Sequence, residues 1–319
     1  MKNITVIGAG NIGARHLQSI NKLNYNLTIY VVDPKISFLQ DSLNNSLEKN
    51  ENQSLIFLKD LSSLPRNLDL VIIATNSDVR RNIIVTLIQK RRITYLILEK
   101  IVFQNPNYFL EVRDLLLKNN VKTWVNTPMR FYPFYKILKN RISKDLISMT
   151  SFGNGWNLAS NSIHIIDSFC FLIDESNIII DTSGLHQKLY KSKRRGFKEL
   201  KGEIKVKSSN GSSLLLKDSN SYNYFQKIKI KFSDMKYVID IENNIIFEQK
   251  IGRKLKKTTY KFPYQSELTS KYVKQLIASR TLDLPSFEES MKTHIELLKS
   301  FNKCLFKDSD PMITIAPFT

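Results

Sequence analysis

Short apolar runs alternate with amphipathic stretches over the first 126 residues of the chain. The runs are apolar enough for strands of a parallel sheet covered on both faces, and they span residues 4–8, 27–33, 68–75, 94–100 and 122–126. The stretches between them carry apolar residues at helical spacing, over residues 12–23, 35–48, 78–90 and 105–119. This regular alternation of strand and helix predicts a doubly wound α/β domain of the Rossmann type, with a parallel sheet.

Beyond residue 150 the pattern changes to short β-branched segments separated by turn residues. These segments predict a large open, mostly antiparallel sheet, and they cover residues 186–193, 202–209, 211–219, 225–234, 236–250 and 253–262. Two helices are predicted to close the chain, at residues 265–279 and 286–306, the second opened by the capping sequence SFEE. We therefore expect two domains, a nucleotide-binding domain at residues 1–125 and an α+β domain at residues 126–319.

Composition adds one unusual feature, a formal charge of +19 from 48 Lys and Arg against 29 Asp and Glu. The basic residues are spread along the chain, and the densest group, residues 190–207, has the alternation of a strand with one solvated face. We therefore expect no nucleic-acid partner. Two cysteines and four histidines without metal-like spacing predict no metal site. With no signal-peptide pattern and no long apolar run, we expect a cytoplasmic protein that does not bind membranes.

The sequence VIGAGNIGARHLQSI contains the spacing of a dinucleotide-binding turn. Gly8 permits the tight exit from the strand, Gly10 lets backbone amides approach a pyrophosphate, and Gly13 lets the helix pack closely on the sheet. The amides of Asn11 and Ile12 open that helix, whose N-terminus favours phosphate.

Asp33 follows the second strand, twenty residues after the last of these glycines. A carboxylate at this point accepts hydrogen bonds from ribose hydroxyls and repels a 2′-phosphate, which predicts NAD, with NADP as the alternative. Asp33 is also a common residue type for a turn before Pro34.

Two further loops follow strands at the same predicted edge of the sheet, where open α/β sheets bind ligands. Ala74, Thr75 and Asn76 are predicted to line the dinucleotide, although the residues after them also suit a helix cap. Glu99 and Lys100 end the next strand, where a solvated strand end is the alternative reading of the pair. We include Glu99 among the predicted cofactor contacts.

Several short motifs occur in an order that resembles the Gfo/Idh/MocA family, the glucose-fructose oxidoreductase and inositol dehydrogenase group. They are the glycine turn, ARH at 14–16, ATN at 74–76, EK at 99–100, NTPMRFYP at 126–133, SNSIHIID at 160–167 and SFEESMKTHIELLKSF at 286–301. The resemblance covers essentially the whole chain. It implies hydride transfer between a nicotinamide and a secondary alcohol or ketone, and a homodimer or homotetramer.

The resemblance also implies catalytic roles for Lys100 and His164. An ammonium can stabilise a developing alkoxide, and an imidazole can exchange protons near neutral pH. Two positions depart from the family pattern. Ile101 replaces the proline that often follows this lysine, commonly in a cis bond, and a cis bond before a non-proline residue is costly. Ser160 replaces an acidic residue, and a serine cannot act as a carboxylate base.

Candidate substrate contacts lie on the same motifs. Asparagines suit substrate hydroxyls, an arginine suits an anionic group or a structural carboxylate, and a tryptophan suits the apolar face of a sugar; ordinary packing is the alternative for each. The predicted set is Lys100, Asn126, Arg130, Trp156, Asn157, Ser160, Asn161, His164 and Asp167. Asp167 lies one helical turn after His164 and is predicted to orient it, contact substrate or pack.

These patterns predict an NAD(P)-dependent oxidoreductase acting on a sugar, aminosugar or nucleotide-sugar. A non-catalytic dinucleotide-binding protein, acting as a sensor or assembly partner, is the first alternative, because Ile101 and Ser160 weaken the catalytic pattern. A reductase of imines or conjugated double bonds is the second, and it would need a lysine base less.

Overall fold

The computed structural model describes residues 1–219 and 224–319. They form two compact units, the first built from Met1–Phe103, Leu110–Asn126 and Pro263–Phe287 and the second from Gln104–Phe109, Thr127–Phe262 and Glu288–Thr319. The chain passes from the first unit to the second after Asn126, and the expected domain boundary after residue 125 stays a prediction. Residues 263–287 return to the first unit, which the sequence pattern did not indicate.

Within the described residues, sixteen strands and eight α-helices are assigned. The strands are β1 (Asn3–Ile7), β2 (Leu27–Val32), β3 (Gln53–Leu58), β4 (Asn67–Ile73), β5 (Arg92–Leu98), β6 (Lys122–Val125), β7 (Ile147–Asn154), β8 (Ile178–Asp181), β9 (Tyr190–Lys191), β10 (Lys198–Glu199), β11 (Gly202–Ser208), β12 (Ser213–Ser219), β13 (Phe225–Phe232), β14 (Met235–Asp240), β15 (Ile245–Lys250) and β16 (Lys256–Thr259). The helices are α1 (Asn11–Asn21), α2 (Ile36–Asn45), α3 (Ser77–Lys90), α4 (Pro106–Lys118), α5 (Pro133–Ile142), α6 (Leu158–Ile173), α7 (Gln265–Ser279) and α8 (Phe287–Leu305), and a 3₁₀ helix covers Pro128–Phe131.

The first unit contains a six-stranded parallel sheet in the order β3-β2-β1-β4-β5-β6. This is the strand order of a dinucleotide-binding doubly wound fold. The central strands are apolar at almost every position because both sheet faces are covered: Ile4 and Val6 of β1 and Leu70 and Ile72 of β4 are fully buried. The predicted α/β fold class is confirmed.

Strand β3 was missing from the sequence prediction. It lies at the edge of the sheet, and alternate positions remain accessible to solvent. An edge strand needs fewer apolar residues than a central one, so the sequence QSLIFL after a polar stretch gave a weak signal.

Helix α7 belongs to the first unit and packs against α1. The Ser270 backbone N–H donates to the Ser19 hydroxyl at 2.8 Å, and Lys22 Nζ donates to the Ser266 carbonyl oxygen at 3.3 Å. The predicted bounds of α7, residues 265–279, are those observed.

The second unit contains an eight-stranded sheet in the order β16-β15-β14-β13-β7-β12-β11-β8. All neighbouring strands are antiparallel except β7 and β12, which run parallel. The mostly antiparallel sheet was predicted, but β7 and β8 were not. Strands such as β11 alternate buried and exposed residues, so one sheet face is packed and the other accessible. Among the described residues, no helix has the length and apolar character needed to cross a membrane.

Candidate functional site

The glycine turn of the first unit connects β1 to α1 and requires glycine at two positions. Gly8 has φ +89°, and a Cβ there would lie 2.9 Å from the backbone nitrogen of Thr75. A Cβ on Gly13 would lie 1.8 Å from the carbonyl oxygen of Gly8. The helix can therefore approach the strand this closely only without side chains.

Gly10 differs from Gly8 and Gly13, because no neighbouring atom would contact a side chain there. A Cβ there would meet no atom within 4 Å. Gly10 caps α1, and neither a capping side chain nor an acidic residue in the first turn satisfies the N–H groups of Asn11, Ile12 and Gly13. These amides and the positive end of the helix dipole form a donor set that fits a pyrophosphate.

Asp33 lies beside this turn and shapes it. Its Oδ2 accepts a hydrogen bond from the Ala9 backbone N–H at 2.8 Å, and its Oδ1 accepts one from Lys35 N–H at 2.8 Å. Each carboxylate oxygen can accept more than one hydrogen bond, and the residue is partly exposed. The turn role considered from the sequence is therefore present, and the ribose contact stays a prediction that this geometry permits.

The loop after β4 adjoins the glycine turn. The Ala74 backbone N–H donates to the Ile7 carbonyl oxygen at 2.8 Å. Ala74 and Thr75 are half-buried, and Asn76 is exposed at the start of α3. These three residues therefore lie beside the glycine turn, as the fold requires, and their contact with the dinucleotide stays a prediction.

Glu99 directly follows β5 and belongs to a buried hydrogen-bond network. Its carboxylate accepts a hydrogen bond from His16 Nε2 at 3.0 Å and another from the Asn126 side-chain amide. Burial alone would raise the pKa of Glu99, but the hydrogen bond and charge of His16, with the Asn126 amide, lower it to about 2. These contacts give the predicted cofactor ligand Glu99 a structural role inside the first unit.

Asn126 was predicted to bind substrate hydroxyls, and this stays a prediction. Both donor positions of its amide are used, by Glu99 and by Gln265 Oε1 at 2.8 Å, while its Oδ1 accepts from the Tyr272 hydroxyl at 3.1 Å. The residue is 3% exposed. These hydrogen bonds link the end of β6 to α7 and leave one acceptor position on Oδ1.

Lys100 follows Glu99 at the carboxyl end of β5 and is half-buried. The peptide bond between Lys100 and Ile101 is cis, although residue 101 is not proline. Ile101 and Val102 are fully buried.

The second unit presents His164 on α6 to a cavity of about 230 Å³. Among the residues that the structure describes, its lining contains no Lys, Arg, Asp or Glu and consists of Pro128, Met129, Tyr132, Asn161, His164, Ile165, Gln226 and Ile241. The Gln226 amide donates to the Ser151 hydroxyl at 3.0 Å, and the Asn161 amide donates to the Trp156 carbonyl oxygen at 2.7 Å. The structure thus brings two of the predicted substrate residues, Asn161 and His164, to one cavity.

Carboxylates from outside the helix hold the start of α6. Glu199 Oε2 accepts from the Ala159 backbone N–H at 3.0 Å, and its Oε1 accepts from the Ser160 hydroxyl. Asp218 accepts from the Gly155 N–H at 2.7 Å. Ser160 is 5% exposed, and its hydroxyl donates to the Glu199 carboxylate. Its contact with substrate stays a prediction.

Two other predicted substrate residues flank this helix start. Trp156 is 1% exposed, and its indole N–H donates to the Lys217 carbonyl oxygen at 3.0 Å. At this burial the packing alternative considered for Trp156 is the one observed, and its contact with a sugar stays a prediction. Asn157 caps α6 in a left-handed conformation, with φ 64°, and is half-buried.

Arg130 and Asp167 form a buried ion pair. Nε and Nη2 of Arg130 donate to the two carboxylate oxygens at 3.1 and 2.5 Å, and Nη1 reaches Glu289 at 3.3 Å. Burial opposes the guanidinium charge, but Asp167 raises the pKa of Arg130 above its usual value. Of the alternatives considered for Arg130, the structural carboxylate is the one observed, and Asp167 pairs with Arg130 rather than His164.

Sequence reasoning missed several residues of these networks: Thr269, Gln265 and Tyr272 on α7, and Glu199, Asp218 and Gln226 in the second unit. His16 was noticed only as part of the ARH motif. Its Nδ1 lies 2.8 Å from the Thr269 hydroxyl, 253 positions away in the chain. Among the described residues, no group of three or more His, Cys, Asp or Glu side chains could hold a metal ion.

A glycine turn between a strand and a helix, in a sheet of this order, is typical of a dinucleotide-binding Rossmann domain. Residues 2–127 match the sequence model of the oxidoreductase family with an NAD-binding Rossmann fold, Gfo/Idh/MocA. Over these 126 residues the resemblance to the Gfo/Idh/MocA family inferred from the motifs is confirmed.

Three solved structures illustrate how widely the whole fold is shared. A dehydrogenase (MviM) from Clostridium difficile is 17% identical with a TM-score of 0.72, covering 95% of this chain and 99% of its own. UDP-N-acetylglucosamine 3-dehydrogenase GnnA from Acidithiobacillus ferrooxidans is 11% identical with a TM-score of 0.64, covering 94% and 96%. A super-repressor mutant of Gal80p from Saccharomyces cerevisiae is 13% identical with a TM-score of 0.71, covering 98% of both chains. No curated protein sequence matches the chain.

Proposed function

We propose that this protein is an NAD-dependent oxidoreductase that transfers a hydride between the nicotinamide and a secondary alcohol or ketone of a sugar, aminosugar or nucleotide-sugar. The observation that carries the proposal is the open N-terminus of α1 at Gly10, beside Asp33. Bound there, the dinucleotide would supply or accept the hydride. NADP is the alternative cofactor, which the Asp33 carboxylate disfavours by repelling a 2′-phosphate.

Lys100 and His164 are proposed to handle the hydroxyl proton. Lys100 is half-buried at the carboxyl edge of the parallel sheet, where ligands of open α/β sheets bind. Its ammonium would stabilise an alkoxide and return the proton when a ketone is reduced. His164 lines the cavity of the second unit, and its imidazole is proposed as the second proton-exchanging group.

The chemistry of the His164 cavity supports a hydroxylated, uncharged substrate group. Its polar side chains, those of Asn161, Gln226, Tyr132 and His164, exchange hydrogen bonds without bringing a fixed charge. Burial raises the pKa of Tyr132, which keeps its phenol protonated as a donor. A sugar ring fits this lining better than a phosphate or carboxylate would. The neighbour that acts on UDP-N-acetylglucosamine supports including nucleotide-sugars.

A non-catalytic dinucleotide-binding protein is the competing candidate. It is favoured by the similarity of the whole chain to Gal80p, a repressor with the same fold, and by the loss of the acidic residue at Ser160. This candidate predicts dinucleotide binding without turnover, and a Lys100→Ala variant with intact function.

The experiment is a screen of free sugars, aminosugars and nucleotide-sugars for a change in nicotinamide absorbance, with wild type, Lys100→Ala and His164→Ala. Lys90→Ala, which removes an exposed lysine at the end of α3, is the matched control. We expect turnover with at least one substrate, a kcat lowered about 10²- to 10⁴-fold by Lys100→Ala or His164→Ala, and no change with Lys90→Ala. Dinucleotide binding without turnover, or full activity of Lys100→Ala, would support the competing candidates instead.

The family resemblance also carries our proposals for assembly and location, a homodimer or homotetramer in the cytoplasm. The accessible face of the eight-stranded sheet is the proposed contact surface. Light scattering of the purified protein tests the assembly: a monomer at all concentrations would contradict it.

A further inference from the structure

Arg80 is a fully buried cation whose bonds reach two separate loops. It lies in the first turns of α3 and is 1% exposed. One guanidinium nitrogen donates to the carbonyl oxygens of Ile101 and Val102, the latter at 2.9 Å, and the other terminal nitrogen donates to the carbonyl oxygen of Thr75. A single planar side chain therefore joins the loop after β4 to the segment after β5.

Helix stability does not explain a cation at this position. Positive charge near a helix N-terminus opposes the helix dipole. A buried charge is also costly unless hydrogen bonds compensate for its lost hydration. The three carbonyl oxygens supply hydrogen bonds that compensate for it, and the charge of Arg80 also helps to lower the pKa of Glu99.

The two connected segments are those to which the proposed function assigns the reaction. Thr75 belongs to the loop predicted to line the dinucleotide, and Ile101 is joined by its peptide bond to Lys100. The geometry points to Arg80 as a positioning residue that fixes the Lys100 segment relative to the cofactor loop. This inference rests on the proposed function for its catalytic consequence, but not for the contacts themselves.

Lysine cannot replace arginine in this role. The guanidinium presents donors in a rigid planar fork, which reaches carbonyls on both sides at once. An ammonium is a compact point on a flexible stem, so it would satisfy one segment and release the other. Arg80→Lys therefore keeps the charge and removes the connection.

The test compares Arg80→Lys with Arg81→Lys, the same substitution at the next residue. Arg81 forms an ion pair with Glu111 and donates a hydrogen bond to the Asn82 side chain. For Arg80→Lys we expect kcat to fall about 10- to 100-fold, because small misplacement of a catalytic group is costly. The KM for dinucleotide should change less than kcat, and the pH profile of kcat should shift. Arg81→Lys should match wild type.

Thermal melting separates positioning from loss of fold. If Arg80→Lys lowers activity only in proportion to its folded fraction, or leaves kcat and the pH profile unchanged, the inference is overturned. Should Arg80→Lys not fold, Arg80→Gln, which removes the charge but keeps two amide donors, provides the same comparison.

A second measurement does not depend on turnover. Acetylation of Lys100 by limiting acetic anhydride, quantified by peptide mass spectrometry, reports the exposure and protonation of its amine. We expect the rate to change at least about threefold in Arg80→Lys and not in Arg81→Lys, because loss of the fork frees the segment. Equal rates in all three proteins would overturn the inference, whereas absent turnover with altered Lys100 reactivity would count only against the proposed enzymatic function.

Discussion

Replacing Glu99 with glutamine removes the carboxylate charge from the buried network of the first unit while keeping the side-chain volume. In the wild-type protein, burial opposes the charge, but His16 and Asn126 hold the pKa of Glu99 at about 2, against 4.5 for an ordinary glutamate. The folded state therefore binds a proton less readily than the unfolded chain. The contribution of this carboxylate to stability is complete above pH 4.5 and is lost as the pH falls towards 2.

The size of the effect follows from the two pKa values. The difference between the two pKa values corresponds to a total of about 3 kcal/mol, of which about 1 kcal/mol is lost between pH 7 and pH 3.5. Glu99→Gln cannot titrate at this site and should lack that component. Its unfolding free energy should therefore fall about 1 kcal/mol less than that of wild type over this range.

The assay is urea unfolding followed by tryptophan fluorescence. The chain has two tryptophans, so a Trp156→Phe background leaves Trp124, on β6 of the first unit, as the reporter. Glu51→Gln, which neutralises an exposed glutamate, controls for the loss of one charge. Equal pH dependence of wild type and Glu99→Gln would refute the assignment of a depressed pKa to this network.

Three further outcomes follow from the described contacts. Gly13→Ala places a methyl group 1.8 Å from a backbone carbonyl oxygen and should destabilise the first unit by about 2 kcal/mol or more, whereas Gly10→Ala should not; equal melting temperatures would contradict this. Asp167→Asn leaves the Arg130 charge buried without its carboxylate and should cost about 3 kcal/mol in urea unfolding, and a cost near zero would argue against a compensated pair. Asp33→Asn should raise the ratio of NADP to NAD affinity about tenfold by removing repulsion of the 2′-phosphate, and calorimetry showing an unchanged ratio would exclude that role.

The fold of the first unit was predictable because its sequence signals are local. Gly8 has a positive φ and a Cβ on Gly13 would meet the carbonyl oxygen of Gly8, so both requirements arise within one turn. The apolar runs around this turn predict strands that are buried on both faces. Edge strand β3 gave a weaker pattern, because none of its six positions is fully buried. The apolar stripe of α7 predicted a helix of the correct length. Such a stripe does not indicate that the helix will pack against α1 of the first unit.

The polar residues of the site were harder to interpret, because their partners are distant in sequence. Asn126 was predicted to bind substrate hydroxyls from its residue type. Its amide forms hydrogen bonds with Gln265 and Tyr272, which lie 139 and 146 positions away in the chain. Asp167 likewise was one turn from His164 but paired with Arg130. Residue type shows which hydrogen bonds a side chain can make, and only the tertiary structure decides whether the chain itself makes them.

The central claim is that the N-terminus of α1 holds a dinucleotide at Gly10. Calorimetric titration of NAD into wild type and Gly10→Val tests it directly, because φ is −67° at this position and a Cβ there meets no atom within 4 Å. A valine should therefore cost only about 1 kcal/mol of stability while its side chain enters the space assigned to the pyrophosphate. We predict that wild type binds NAD and that Gly10→Val, still folded, binds it at least about 100-fold more weakly. Absence of binding to wild type at millimolar NAD, or equal binding by the two proteins, would contradict the account.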